Sequence, residues 1–189
     1  MFIIGGKMKK IVYLLLLVFF TACSGKVNGY SWNNLQSINQ GGVQIQIARI
    51  AIYDKSSMPK DQQKYLNGIN GFYDKSTICD LYFKITNSSD VVMSVYPTQG
   101  LLMANDEEVQ LISYGLFSDG ISGGQIFPGA TVNGVITFGL KRVTPDTINI
   151  MKLKISAPHD ELFRTYGEDY LFNLDLSKHE WVNKPKELE

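Results

Sequence analysis

Apolar and polar residues alternate along most of residues 41–182, the two-residue period of strands that bury one face. Val43, Ile45 and Ile47 alternate with Gln44, Gln46 and Ala48. The phase then slips at Arg49, and Ile50 and Ile52 carry the apolar side. A slip of one residue predicts a β-bulge there. Residues 77–86 (TICDLYFKIT) give the clearest strand, with Cys79, Leu81, Phe83 and Ile85 on one face. Residues 87–90 (NSSD) predict a turn and residues 91–96 (VVMSVY) a further strand. Asn105-Asp106 predicts a hairpin tip between residues 101–103 and 108–112. Pro128-Gly129 opens a strand over 131–140, where Val132, Ile136, Phe138 and Leu140 share a face. Met151, Leu153 and Ile155 alternate in the next strand, and Phe172, Leu174 and Leu176 in the last. About seven to nine short strands punctuated by turns predict an all-β fold, an antiparallel β-sandwich.

Two stretches break this rhythm. Residues 54–75 are polar and interrupted by Pro59, Gly68 and Gly71, with two helical turns expected over 60–66. Residues 24–39 are rich in Ser, Gly and Asn and read as a tether, with a first short strand near 30–38 and Trp32 placed to pack back on the domain.

The N-terminus has a different pattern. Lys9 and Lys10 precede an unbroken apolar run at 11–20, followed by Thr21, Ala22 and Cys23. Ten apolar residues match the core of a secretory signal, whereas a bilayer span needs about twenty. Small residues leading into a cysteine resemble the bacterial lipobox, with Phe20 where leucine is commonest. That resemblance implies cleavage before Cys23 and a diacylglycerol thioether on it. Each buried lipid methylene contributes about 0.8 kcal/mol, so two or three chains on one cysteine hold a domain firmly on a membrane. The expected organisation is a signal peptide over 1–22 starting at Met1 or Met8, a lipidated Cys23 with a tether over 23–40, a β-sandwich domain over 41–182 and a polar tail over 183–189.

Composition and charge narrow the function classes. Removing Lys7, Lys9 and Lys10 with the leader leaves 15 basic and 18 acidic residues, a net of −3. No nucleic-acid footprint is expected from a mildly acidic domain, nor a basic patch for anionic lipid. Beyond Cys23 the chain carries one cysteine, Cys79, so no disulfide is expected within the exported part.

The stretch YFKITNSSD, then LLMANDEEVQLI, PGATVNGVITFGLK and MKLKISAP resembles a family of Ig-like domains in secreted bacterial lipoproteins, of the immunoprotective extracellular antigen type. The resemblance covers about residues 42–157 and rests on turn chemistry: Thr86-Asn87 to Asp90, Asn105-Asp106-Glu107, and Pro128-Gly129 with Gly134 and Phe138. It implies an Ig-like sandwich and carries over no catalytic residues. Binding or adhesion is what such a fold suggests by analogy.

Candidate chemistry is sparse. His159-Asp160-Glu161 has no second histidine at ligand spacing and reads as a solvated turn after Pro158; the other histidine is His179. Residues 105–108 (NDEE) lack the spacing and glycine of a calcium loop and read as an acidic hairpin tip. Met58, Met93, Met103 and Met151 sit on separate segments without a copper-binding pattern. P-loop, dinucleotide and zinc-protease motifs are absent from the sequence, and the Gly-x-Ser-x-Gly spacing at residues 120–124 (GISGG) lies in a loop between strands with no following helix evident, so no catalytic residue, metal or cofactor is expected. Aromatic loop residues are the best candidates for contact: Tyr65, Phe72 and Tyr73 in the 54–75 stretch, and Tyr114, Phe117 and Phe127 around the Gly-rich stretch at 119–124. They either anchor a protein or envelope-glycan partner or pack over the open ends of the sandwich. The sequence therefore predicts a non-enzymatic, lipid-anchored, extracytoplasmic binding domain, with an envelope small-ligand or metal carrier as the alternative.

Overall fold

The computed structural model describes residues 29–68, 72–110 and 124–178. Ten strands form two four-stranded sheets and a two-stranded ribbon, with every paired neighbour antiparallel. The first sheet contains β1 (Gly29–Gln40), β2 (Val43–Asp54), β3 (Thr77–Asn87) and β8 (Thr131–Leu140), in the order β1-β2-β3-β8. The second contains β5 (Leu101–Ala104), β6 (Glu107–Gln110), β9 (Ile150–Ile155) and β10 (Tyr170–Asp175), in the order β10-β9-β5-β6. The ribbon pairs β4 (Met93–Ser94) with β7 (Gln125–Ile126).

The predicted alternation sets which side chains face inward. Val43, Ile45, Ile47, Ile50 and Ile52 from β2 join Cys79, Leu81, Phe83 and Ile85 from β3 in one buried core. Leu102, Met151, Leu153, Ile155, Phe172 and Leu174 face them from the second sheet. The β2–β3 register shifts between Ile47 and Arg49, so the bulge lies where the phase slips. Burial pushes the Cys79 thiol well up, with the charge of Asp80 adding to it. It is a core hydrophobe rather than a nucleophile.

Chain reversal into β2 uses Gly41 and Gly42, both at positive φ. A side chain at Gly41 would run into the backbone of Tyr166. Along that flank Tyr170 donates to the carbonyls of Val43 (2.8 Å) and Gln40 (3.0 Å). Trp32 is buried and donates to the carbonyl of Leu176 at 3.2 Å. These bonds staple the edge of one sheet to the edge of the other.

Four expectations are corrected. The tether expected over 23–40 is shortened: the first strand, expected near 30–38, runs over Gly29–Gln40, and Trp32 packs into the core as expected. The strand expected over 91–96 shrinks to Met93–Ser94, because Pro97 starts a 3-10 turn over Pro97–Gln99. The acidic hairpin tip is only partly solvated: Glu107 is buried and accepts the backbone N–H groups of Lys141 (2.7 Å), Arg142 (2.7 Å) and Val143 (3.1 Å). Burial pushes the Glu107 carboxyl up, but these three bonds outweigh it and hold the group below its ordinary range. Finally, residues 54–68 and 72–75 of the expected long loop pack against the first sheet.

They form a strap that folds over the outer face of the first sheet. Its helix α1 (Lys60–Asn67) carries Leu66 against a second apolar cluster of Ala51, Tyr53, Phe72 and Ile78. The Lys55 ammonium pins the strap by donating to the carbonyls of Phe72 (2.7 Å) and Tyr73 (3.2 Å).

Candidate functional site

The aromatic candidates separate in the structure. Phe72 is 4% exposed and belongs to the strap's core, which removes it from any contact surface. Tyr65, Tyr73 and Phe127 are exposed, the first two on the strap and the third after β7. Tyr114, Phe117, His179 and Cys23 lie outside the described residues.

The most strongly built exposed feature was not among the candidates. It is the loop between β9 and β10, and the sequence HDELFRTYGE explains how it forms. His159 joins the backbone of Ser94 in both directions, receiving at its carbonyl from Ser94 N–H (2.7 Å) and donating to the Ser94 carbonyl (3.1 Å). Chain reversal then centres on Asp160, which is buried rather than solvated. Its carboxylate accepts Leu162 N–H and Arg164 N–H at 2.9 Å each, Arg164 Nε at 2.6 Å and the Tyr166 hydroxyl at 3.0 Å. Arg164 Nη2 completes the pair at 2.6 Å. Burial pushes the Asp160 carboxyl up, yet the Arg164, Tyr166 and Leu162 bonds prevail and hold it at about 2. The expectation of a solvated His-Asp-Glu turn is therefore corrected at Asp160. A carboxylate with this many donors is a structural hub.

The hub presents two large apolar side chains. Leu162 is 73% and Phe163 81% exposed. Phe163 adopts φ +59°, a left-handed conformation rare for a bulky residue and costing about 1–3 kcal/mol. It persists because the N–H groups on both sides of it are tied to Asp160, directly at Arg164 and at Leu162. The Phe163 ring stacks on His159 (centroids 5.3 Å apart, planes at 25°), and His159 stacks on Tyr96 (5.7 Å, 28°). The result is an exposed apolar knob with the His159 and Tyr96 rings stacked behind Phe163.

Such a knob can fill an apolar pocket on a partner; it holds no reacting groups. Among the described residues, no group of three or more His, Cys, Asp or Glu is placed to hold a metal ion. No helix among them is long and apolar enough to cross a membrane. The one sequence signal for the knob was an apolar pair inside an otherwise polar run, without the alternation that marks a strand.

No family model matches the sequence, and no curated protein matches it. Solved structures do match. A functionally unknown protein from Listeria monocytogenes EGD-e superposes with TM-score 0.51 at 16% identity, covering 82% of this chain and 89% of that one. A "putative lipoprotein (ycdA)" from Bacillus subtilis gives 0.47 at 12%, covering 76% of this chain and 39% of that one. A conserved hypothetical protein from Bacillus anthracis gives 0.42 at 12%, covering 70% of this chain and 94% of that one. At 16% identity the Listeria likeness shows a shared mostly-β fold and nothing of function.

Proposed function

We propose that the chain is a lipid-anchored extracytoplasmic lipoprotein whose Ig-like domain binds a protein partner without catalysing a reaction. The observation that carries this reading is the Leu162–Phe163 knob, held in a strained backbone by the Asp160 hub. An exposed apolar pair kept rigid loses little conformational freedom on docking, the property of interface anchors. A convex pair suits a concave apolar pocket on a protein better than the flat ring of a sugar.

Strand order supports the Ig-like part. β2-β3-β8 against β10-β9-β5-β6 follows the order A-B-E against G-F-C-C′ of immunoglobulin-type sandwiches, with β1 added at the A edge. The anchored part has a geometric consequence. β1 begins at Gly29 and ends beside Gly41, which packs against Tyr166 of the knob loop. Twelve residues of strand span about 36 Å. The five residues between Cys23 and Gly29 reach at most about 20 Å. A lipid on Cys23 would thus keep the Gly29 end near the membrane and point the knob outward.

The test is chemical crosslinking in living cells with the wild type and a Leu162→Ser/Phe163→Ser double variant. The reading expects one dominant protein adduct with the wild type. The double variant should lose it while keeping wild-type abundance and melting temperature. An adduct of equal yield in both, or glycan adducts alone, would overturn the reading.

A further inference from the structure

The outer faces of the two sheets differ. The strap covers part of the first. The second presents its outward residues to solvent in rows set by the strand register. One row runs Leu171, Lys154 and Leu101 across β10, β9 and β5; the next runs Lys152, Met103 and Glu108 across β9, β5 and β6. Leu101, Met103 and Leu171 are exposed, as is Ile150 two residues before Lys152. A sheet face that meets only water carries polar residues on that side. Four large apolar side chains on one outward face mark a contact surface instead.

The charges on this face say what fits it. Lys154 is already paired with Asp169 at 2.9 Å. Lys152 and Glu108 are exposed and form no ion pair among the described residues. They stand two strands apart, about 10 Å, with Met103 between them. The row therefore reads cation, apolar, acid: symmetric in position about Met103 and opposite in sign. A half-turn about an axis along β5 exchanges the flanking strands. It brings Lys152 of one copy opposite Glu108 of the other, and the reverse, while Leu101 and Met103 meet their own copies, as an isologous interface requires. Facing sheets lie about 10 Å apart, a gap that a lysine and a glutamate side chain together span. Other two-fold axes fail: one along β9 sets Lys152 on its own copy, and one across the strands at the Met103 row sets Lys152 on Lys152 and Glu108 on Glu108.

We infer that a second copy of this chain covers the outer face of the β10-β9-β5-β6 sheet, in a two-fold dimer centred on Met103 with Lys152 and Glu108 paired across it in both directions. Leu171 and Ile150 lie toward its margin. Strands of four to six residues give the face a footprint of roughly 300 Å², against about 800 Å² a side for a standard interface. The dimer is therefore weak and short-lived, and a covalent trap is the way to see it. It goes beyond the reading of the knob as a partner site and does not depend on it.

The experiment places a photo-crosslinking amino acid at Met103 of the full chain in living cells, with Tyr65 on α1 as the control site. Position 103 should give an adduct of twice the chain's mass, both halves of which derive from this chain, and position 65 should not. Lys152→Glu and Glu108→Lys, each carried by every copy, should lower that yield about tenfold or more, because each sets like charges across the interface. Co-expressing the two variants should restore it in dimers that contain one copy of each, since every charge then faces its opposite. A substitution that merely disturbed the fold would not be rescued in this way. No dimer from position 103, an unchanged yield in either single variant, or no rescue in the mixture would overturn the inference. So would an adduct to a different protein in place of the dimer. The knob variant Leu162→Ser/Phe163→Ser should keep the dimer, so failure here and failure of the partner reading are separable.

Discussion

Asp80→Asn separates two opposing electrostatic effects beneath the strap. Asp80 points to the outer face of the first sheet, opposite Ala51 on β2 and Thr137 on β8. The Thr137 hydroxyl donates to its carboxylate at 2.6 Å, and Arg49 lies over the Tyr82 ring, 5.5 Å from its centroid. Burial raises the Asp80 pKa from 3.8 to about 6; Thr137 and Arg49 oppose this without cancelling it. At about 1.4 kcal/mol per unit, the charged form carries a penalty of about 2–3 kcal/mol at neutral pH, less what solvent screens for a half-buried residue. An acid whose pKa is higher in the folded state contributes its stability in full below its unfolded pKa and loses it as pH rises through the folded value. Wild-type stability from this group should therefore fall between about pH 4 and pH 6.5 and level off above that. Asparagine keeps an oxygen for Thr137 and carries no charge. It deprives Arg49 of a counter-charge, which trims the gain. The variant should be about 1–2 kcal/mol more stable than the wild type at pH 7.5 and lack this pH slope. Urea denaturation between pH 4.5 and 8 measures both. A variant less stable than the wild type at pH 7.5 would show that attraction to Arg49 outweighs burial and refute the reasoning.

Three further outcomes can be measured. Phe72→Ala should cost about 3–5 kcal/mol, as for other buried aromatics, and raise amide exchange across the strap; a loss under 1 kcal/mol would mean that the strap is not packed. Asp160, held at about 2 against an ordinary 3.8, supports the knob loop above about pH 4 and loses that support as pH falls through about 2, so amide protection of Leu162 and Arg164 should drop there before the β2 core opens. Cys23→Ser should abolish incorporation of a metabolic lipid label into the chain and release it from membranes; retained label would contradict the anchor.

Legibility in the sequence depended on how local the cause was. The bulge at Arg49 and the faces of β3, β8, β9 and β10 showed because each apolar face alternates within its own strand. The hairpin at Asn105-Asp106 showed through its turn residues, and α1 through a short stretch within the 54–75 segment. Long-range pairings stayed hidden. Glu107 looked like part of a solvated acidic tip because the amides it caps lie at Lys141, Arg142 and Val143. The sequence leaves Phe72 between contacting a partner and packing over an end of the sandwich, because nothing local shows that Ala51, Tyr53 and Ile78 of two neighbouring strands form its pocket. Asp160 is a different case: its partners are local, but five donors converging on one carboxylate require a chain reversal that no alternation announces.

The central claim is that the knob is the contact surface of an outward-facing binding domain. Its most direct test is a photo-crosslinking amino acid placed at Phe163 in living cells, with Tyr65 on α1, similarly exposed, as the control site. The account predicts a protein adduct of one discrete mass from position 163 and none of that mass from position 65. Equal adducts from both sites, or none from position 163 in cells that display the protein, would contradict it.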